Sequence, residues 1–143
     1  MKPENPDGVR GSHDTGVAAK REKGLKLDLQ VHRGGAVVVH CQGRIIFGPE
    51  ARALTTLVAD VLPTAGRMVV DLAGVESVDS AGLGELVLLH MWAVAAGHAL
   101  KFAGPRPRVR NLLELTNLAS VFDTYGSVAE AAAAMWNEEV CSA

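Results

Sequence analysis

Arg67-Met-Val-Val-Asp-Leu-Ala-Gly-Val-Glu-Ser-Val-Asp-Ser-Ala-Gly-Leu-Gly84 is the stretch that decides the fold. Met68 to Leu72 is a short apolar run rich in β-branched residues, the length of one buried strand. Gly74 to Val78 bends and re-enters an extended segment. Asp79 and Ser80 then stand where an apolar helix begins, one that runs on to Gly97. Both side chains carry oxygens that accept the orphan N–H groups of a first helical turn. The unit is strand, loop, helix. One hydroxyl lies where the helix's unpaired donors and positive dipole end converge, and a phosphate on it is well placed electrostatically.

The remaining composition bounds the function. A chain of 143 residues carries one domain with a sizeable core, and 48% apolar residues make its body globular. The net charge of −2 supplies no overall basic field to recruit nucleic acid directly. Cys41 and Cys141 form neither a disulfide framework nor a metal-ligand spacing, which fits a reducing cytoplasm. There is no secretory h-region, and the longest nearly apolar run, Leu86 to Ala96, is interrupted by His90 and too short to span a bilayer. The expectation is a soluble cytoplasmic protein without membrane insertion.

Outward from the central unit, residues 1–24 hold Pro3, Pro6, several glycines and scattered charges, and read as a disordered extension. One domain is expected over residues 25–140. Leu25, Leu27, Leu29 and Val31 alternate with polar residues as in a half-buried strand, and Ala36 to Gln42 forms its hairpin partner across Arg33-Gly34-Gly35. His32 and His40 on these strands read as ordinary strand residues. Pro49 opens a helix carrying Leu54, Leu57, Val58, Val61 and Leu62, ended by Pro63 and Gly66. After the central helix come a strand over His98 to Ala103, a helix over Val109 to Leu118, and a short edge strand within Phe122 to Tyr125. Ser127 caps a last helix, with Glu130 placed as in a capping box. Alternating strands and helices with right-handed crossovers give a mixed α/β sheet of four to five strands, with about four helices mostly on one face.

At Val70-Asp71-Leu72-Ala-Gly-Val-x-x-Val-Asp79-Ser80-Ala-Gly82-Leu83-Gly84 the chain resembles the STAS domain of bacterial anti-sigma factor antagonists. A second anchor, Pro107-Arg-Val109-Arg110-Asn-Leu112-Leu113-Glu-Leu115-Thr116-Asn117-Leu118, stands at the family's spacing, and the likeness runs from about Lys26 to the last helix. The resemblance implies a STAS-like fold and a serine phosphorylated by an anti-sigma factor serine kinase, which matches Ser80. It also implies a serine phosphatase that resets the switch, and it is compatible with a homodimer. One segment departs from the family: Gly43-Arg44-Ile45-Ile46 replaces the common Gly-Glu-Leu-Asp, exchanging two acids for a base. Arg44 is therefore a candidate partner for a phosphoserine.

The rival chemistries fit poorly. A hydrolase nucleophile elbow needs glycine two positions before the serine, where Val78 stands. Gly82-Leu83-Gly84 is no P-loop, since no Gly-Lys-Ser/Thr follows, and Val87 occupies the third glycine of a dinucleotide fingerprint. Asp71 and Asp79 could form a paired-carboxylate site, but strand end and helix cap are their plainer roles. No catalytic residue, metal site or cofactor is expected. The plain reading of Asp79 or Ser80 is a cap worth about 1 kcal/mol.

The central helix adds a second clue. Leu83, Leu86, Val87, His90 and Ala93 or Val94 form the stripe expected to face the sheet; Gly84, Leu88, Met91, Trp92 and Ala95 form the opposite one. An outward Leu-Met-Trp face beside a regulatory serine reads as a partner surface. The expected binding set is Asp79, Ser80, Ala81, Gly82, Leu83, Gly84, Leu88, Met91, Trp92 and Arg44. The functional expectation is a non-enzymatic anti-sigma factor antagonist switched by phosphorylation. The alternative is an unphosphorylated scaffold subunit of a membrane lipid-transport complex.

Overall fold

The computed structural model describes residues 18–22 and 24–142. In chain order the elements are β1 (Ala18–Glu22), β2 (Leu25–Val31), β3 (Val37–Ile45), α1 (Pro49–Ala65), β4 (Arg67–Val78), α2 (Ser80–Ala96), β5 (Ala99–Ala103), α3 (Pro107–Leu115), β6 (Thr124–Tyr125) and α4 (Val128–Ser142). The strands lie in one sheet in sequence order, β1 to β6. The first three are antiparallel neighbours; β3 to β6 run parallel. The mixed α/β sheet with four helices is the expected architecture, with six strands where four to five are expected.

Residue parity along the strands sorts the core into two layers. Leu25, Leu27, Val39, Cys41, Met68, Val70, Leu72, Leu100 and Phe102 face α1, α2 and α3 in the main core. Val38, Val69 and Ala103 point the other way and pack under Ala131 and Met135 of α4. Three crossover helices on one face are what a single hand of crossover gives when parallel strands are laid down in one direction. Each large side chain fully buried here contributes about 1.5–3 kcal/mol of transfer free energy. The central strand β4 is therefore the hardest element to displace.

Several boundaries differ from the sequence reading, among them α3, which spans Pro107–Leu115 where the apolar rhythm suggests Val109 to Leu118. Ala18–Glu22 belongs to the sheet rather than to a disordered extension, pairing from Ala18 opposite Leu29 to Glu22 opposite Leu25. An edge strand needs only one ladder of backbone hydrogen bonds, and no apolar alternation announces it. The rest of that extension, residues 1–17 and 23, lies outside the described residues. β3 runs on past Gln42 to Ile45, through register shifts around Cys41 and Gly43. Gly43 makes this possible: its φ is 121°, and a Cβ there would collide with the Gly24 carbonyl oxygen. Finally, Pro63 does not end α1, which continues to Ala65 and stops at left-handed Gly66, whose N–H donates to the Leu62 carbonyl.

Candidate functional site

The parallel pair β3 and β4 ends with Arg44 beside Ser77 and Ile45 beside Val78. The chain then turns through Asp79 into α2. Asp79 is the N-cap in extended conformation, and its Oδ1 accepts the Gly82 N–H at 2.7 Å. Oδ2 accepts a second N–H, that of Phe47, at 3.0 Å from the loop between β3 and α1. One carboxylate thus fastens two segments. The Phe47 and Gly82 N–H groups stabilise the anion and hold its pKa below the usual carboxylate value.

Because Asp79 does the capping, Ser80 does not. Ser80 is the first residue of α2, exposed, and its hydroxyl makes no hydrogen bond to any described residue. An alcohol in that condition is accessible, and it sits at the positive end of a 17-residue helix. The geometry can therefore accept a charged substituent without breaking an existing contact.

The other expected binding residues divide. Gly84 is exposed with open space about it, and Leu88 and Met91 are 61% and 58% exposed on the outer face of α2. Trp92 is only marginally exposed, its ring 5.9 Å from that of His98. Ser80 and Trp92 lie twelve positions apart in one helix, about 18 Å along its axis, so a contact with both needs an extended partner surface. Ala81 is half-buried. Gly82 and Leu83 are corrections: both are buried, so neither offers its side to a partner. A Cβ on Gly82 would strike the Ile45 carbonyl oxygen, so this glycine exists to let the helix start dock on the end of β3. On the inward stripe, Leu83, Leu86 and Ala93 are buried as expected, joined by Leu89, whereas Val94 is 64% exposed.

Arg44 points elsewhere. Its guanidinium borders Gly24, where a Cβ would lie 3.4 Å from Nη2 and 3.6 Å from the Glu50 Oε2. Glu50 is buried and accepts the Gly24 N–H at 3.3 Å. Arg44 is thus set beside Gly24, just before β2, and near the buried carboxylate of Glu50 at the start of α1. Asp71 and Asp79 do not converge either, standing eight residues or about 25 Å apart along β4. Asp71 instead contacts His40 Nδ1 at 2.7 Å and accepts the Ala73 N–H at 3.0 Å. His40 Nε2 meets Gln30 Oε1 at 2.8 Å.

Sequence reasoning missed two exposed apolar side chains at this end of the sheet. Phe47 is 77% exposed directly beside the Asp79 carboxylate, and Leu115 is 83% exposed at the end of α3. Phe47 sits in a loop with no periodicity to betray it, whereas Leu115 shares the helical rhythm of Val109, Leu112 and Leu113 and is nevertheless turned outward in the last helical turn. Among the described residues no three histidines, cysteines or acids group as a metal site, and no helix is long and apolar enough to cross a membrane.

Comparison with known proteins bears on this geometry. The family model for the STAS domain matches residues 27–131. The structure of an anti-sigma factor antagonist from Mycobacterium paratuberculosis is 25% identical, with a TM-score of 0.66, covering 80% of this chain and 97% of that one. Bacillus SpoIIAA, an anti-sigma factor antagonist solved in unphosphorylated and phosphorylated forms, is similar in fold. Its unphosphorylated form is 14% identical, with a TM-score of 0.64, over 78% of this chain and 96% of that one. A sulfate transporter family protein from Wolinella succinogenes shares the fold at 17% identity, TM-score 0.62, over 71% and 85% of the two chains. No curated protein matches the sequence.

Proposed function

The chain belongs to the STAS domain family, and from that premise we propose that it is an anti-sigma factor antagonist switched by phosphorylation of Ser80. The observation that carries the reading is the division of labour at the start of α2. Asp79 satisfies the cap, which leaves the neighbouring hydroxyl exposed and uncommitted.

In the unmodified state, Ser80, Gly84, Leu88, Met91 and Phe47 form a largely apolar surface, beside the Asp79 carboxylate, for a serine-kinase anti-sigma factor. Binding it would release the sigma factor for transcription. In the modifying step, Ser80 Oγ bonds to the γ-phosphorus of ATP, the bond to the β–γ bridging oxygen breaks, ADP leaves, and the hydroxyl proton passes to a base on the kinase. The product carries roughly −1.5 to −2 added charge next to Asp79. Two adjacent anions desolvated against an apolar partner cost enough to weaken binding, and about 2.7 kcal/mol is a hundredfold. A serine phosphatase would reset the switch in the cytoplasm.

The test is to incubate the purified protein with its candidate kinase and ATP and to locate the phosphate by mass spectrometry. Modification of Ser80 alone supports the reading, and modification elsewhere with Ser80 untouched refutes it. The alternative, a scaffold subunit of a membrane-transport assembly, draws on the apolar outer face of α2 and predicts no phosphoryl transfer at all.

A further inference from the structure

The end of β4 borders a second feature. Ser77 and Val78 form one wall of a cleft of about 410 Å³ whose opposite wall is α3, through Arg108, Leu112 and Leu115. Its lining is mostly aliphatic and contains no acid; Glu76 and Glu114, the nearest acids along these two elements, line no part of it.

Arg108 is the one charged residue of the lining, and two further arginines flank it in sequence. Arg106 Nε donates to the Ala73 carbonyl at 2.8 Å, and Arg110 Nη2 donates to the Pro105 carbonyl at 3.2 Å. Arg108 is exposed and makes no hydrogen bond or ion pair to any described residue. Of these three arginines only Arg108 lines the cleft, and none of them forms an ion pair with a described carboxylate. They stand at the beginning of α3, where the helix dipole is positive and the first turn holds no acid. Local electrostatics disfavours this arrangement, and such conflicts are expected where function outweighs stability.

We propose that the cleft receives an acidic, leucine-bearing segment of a partner protein. Its apolar side chain rests on Leu112 and Leu115, and a carboxylate pairs with Arg108. Charge complementarity selects the acid, and the aliphatic lining selects a peptide over a nucleic acid, which would want aromatic rings on which to stack. The proposal rests on the Ser80 reading in one respect. A phosphate on Ser80, two residues beyond the cleft-wall residue Val78, adds negative charge near the segment's own carboxylates, so phosphorylation should weaken its binding.

The experiment is an NMR titration of the uniformly 15N-labelled full chain with an amidated peptide of alternating glutamate and leucine. A lysine–leucine peptide and a single-stranded oligonucleotide serve as controls. The expected result is movement of the Ser77, Asn111, Leu112 and Leu115 amides with the acidic peptide only, and at least about tenfold weaker binding in Arg108→Glu. Leu115→Ser, at a side chain 83% exposed, should weaken binding while leaving the fold unchanged. Shifts centred on another surface, equal response to the lysine peptide, stronger response to the oligonucleotide, or full binding by Arg108→Glu would each overturn the proposal. If Arg108→Glu abolishes peptide binding and the kinase never modifies Ser80, the cleft stands and the switch reading falls. If phosphorylation controls the kinase partner and Arg108→Glu changes nothing, the cleft falls alone.

Discussion

The Asp79 carboxylate holds the backbone N–H of Phe47 at 3.0 Å, thirty-two residues away in sequence. Through that bond the cap of α2 also fixes the loop after β3, and an exposed phenylalanine is presented next to Ser80. The surface around the serine is a joint product of two crossovers, not of one helix.

Removing that carboxylate has two readouts. Asp79→Ala should cost about 0.5–2 kcal/mol of stability, the usual value of a lost N-cap, and should loosen the Phe47 loop. Because folding lowers the Asp79 pKa, its contribution is present above the unfolded-state pKa and is lost as pH falls through the lower, folded value. Denaturant melts of wild type and Asp79→Ala should therefore converge in acid and differ at neutral pH. A gap that stays constant with pH would contradict the assignment.

The two glycines of Gly82-Leu83-Gly84 should behave oppositely. Gly82→Ala drives a methyl group into the Ile45 carbonyl and should lose about 1–3 kcal/mol. Gly84→Ala meets open space in a helix and should gain up to about 1 kcal/mol. Thermal melts of the two variants check this directly, and a tolerated Gly82→Ala would refute the close approach of α2 to β3.

Charge placed on the two stripes of α2 should separate packing from docking. Leu88→Glu and Met91→Glu lie on the exposed face and should leave stability within about 0.5 kcal/mol. Leu86→Ala, in the core at 1% exposure, should cost about 2–5 kcal/mol. If Leu88→Glu unfolds the protein, the outer face is covered and cannot serve a partner.

Cys41 is buried on β3, and burial, with the nearby Asp71 charge, pushes its thiol pKa well above the ordinary value. The thiolate is the reactive form. Native protein treated with iodoacetamide at neutral pH should remain unmodified at Cys41, and the same position should alkylate readily in urea. Rapid native alkylation, located by peptide mass spectrometry, would contradict the packed position of β3.

What could be read from residues alone follows a physical division. β4 and the start of α2 were legible because an apolar run, a bend and a capping pair are local signals, and so was the Ser127–Glu130 capping pair, whose Glu130 N–H donates to Ser127 Oγ at 3.1 Å. The inward and outward faces of α2 were legible only in part. The helix is apolar on all sides, so periodicity could not exclude Val94 from the core or bring in Leu89. The inward stripe already placed Leu83 in the core, but the burial of Gly82, the direction of Arg44 and the presentation of Phe47 depend on how β3 ends against α2. That is a long-range contact which no local pattern encodes. Ala18–Glu22 was hidden for the same reason, since its place depends on β2 and not on its own composition.

The central claim is that charge on one alcohol decides whether a partner binds. Titration calorimetry of the cognate anti-sigma factor against unmodified and Ser80-phosphorylated protein measures it most directly, with Ser80→Ala and Ser80→Asp alongside. The account predicts an affinity loss of about a hundredfold on phosphorylation, with Ser80→Ala like the unmodified protein. Equal affinities across all four forms would contradict it.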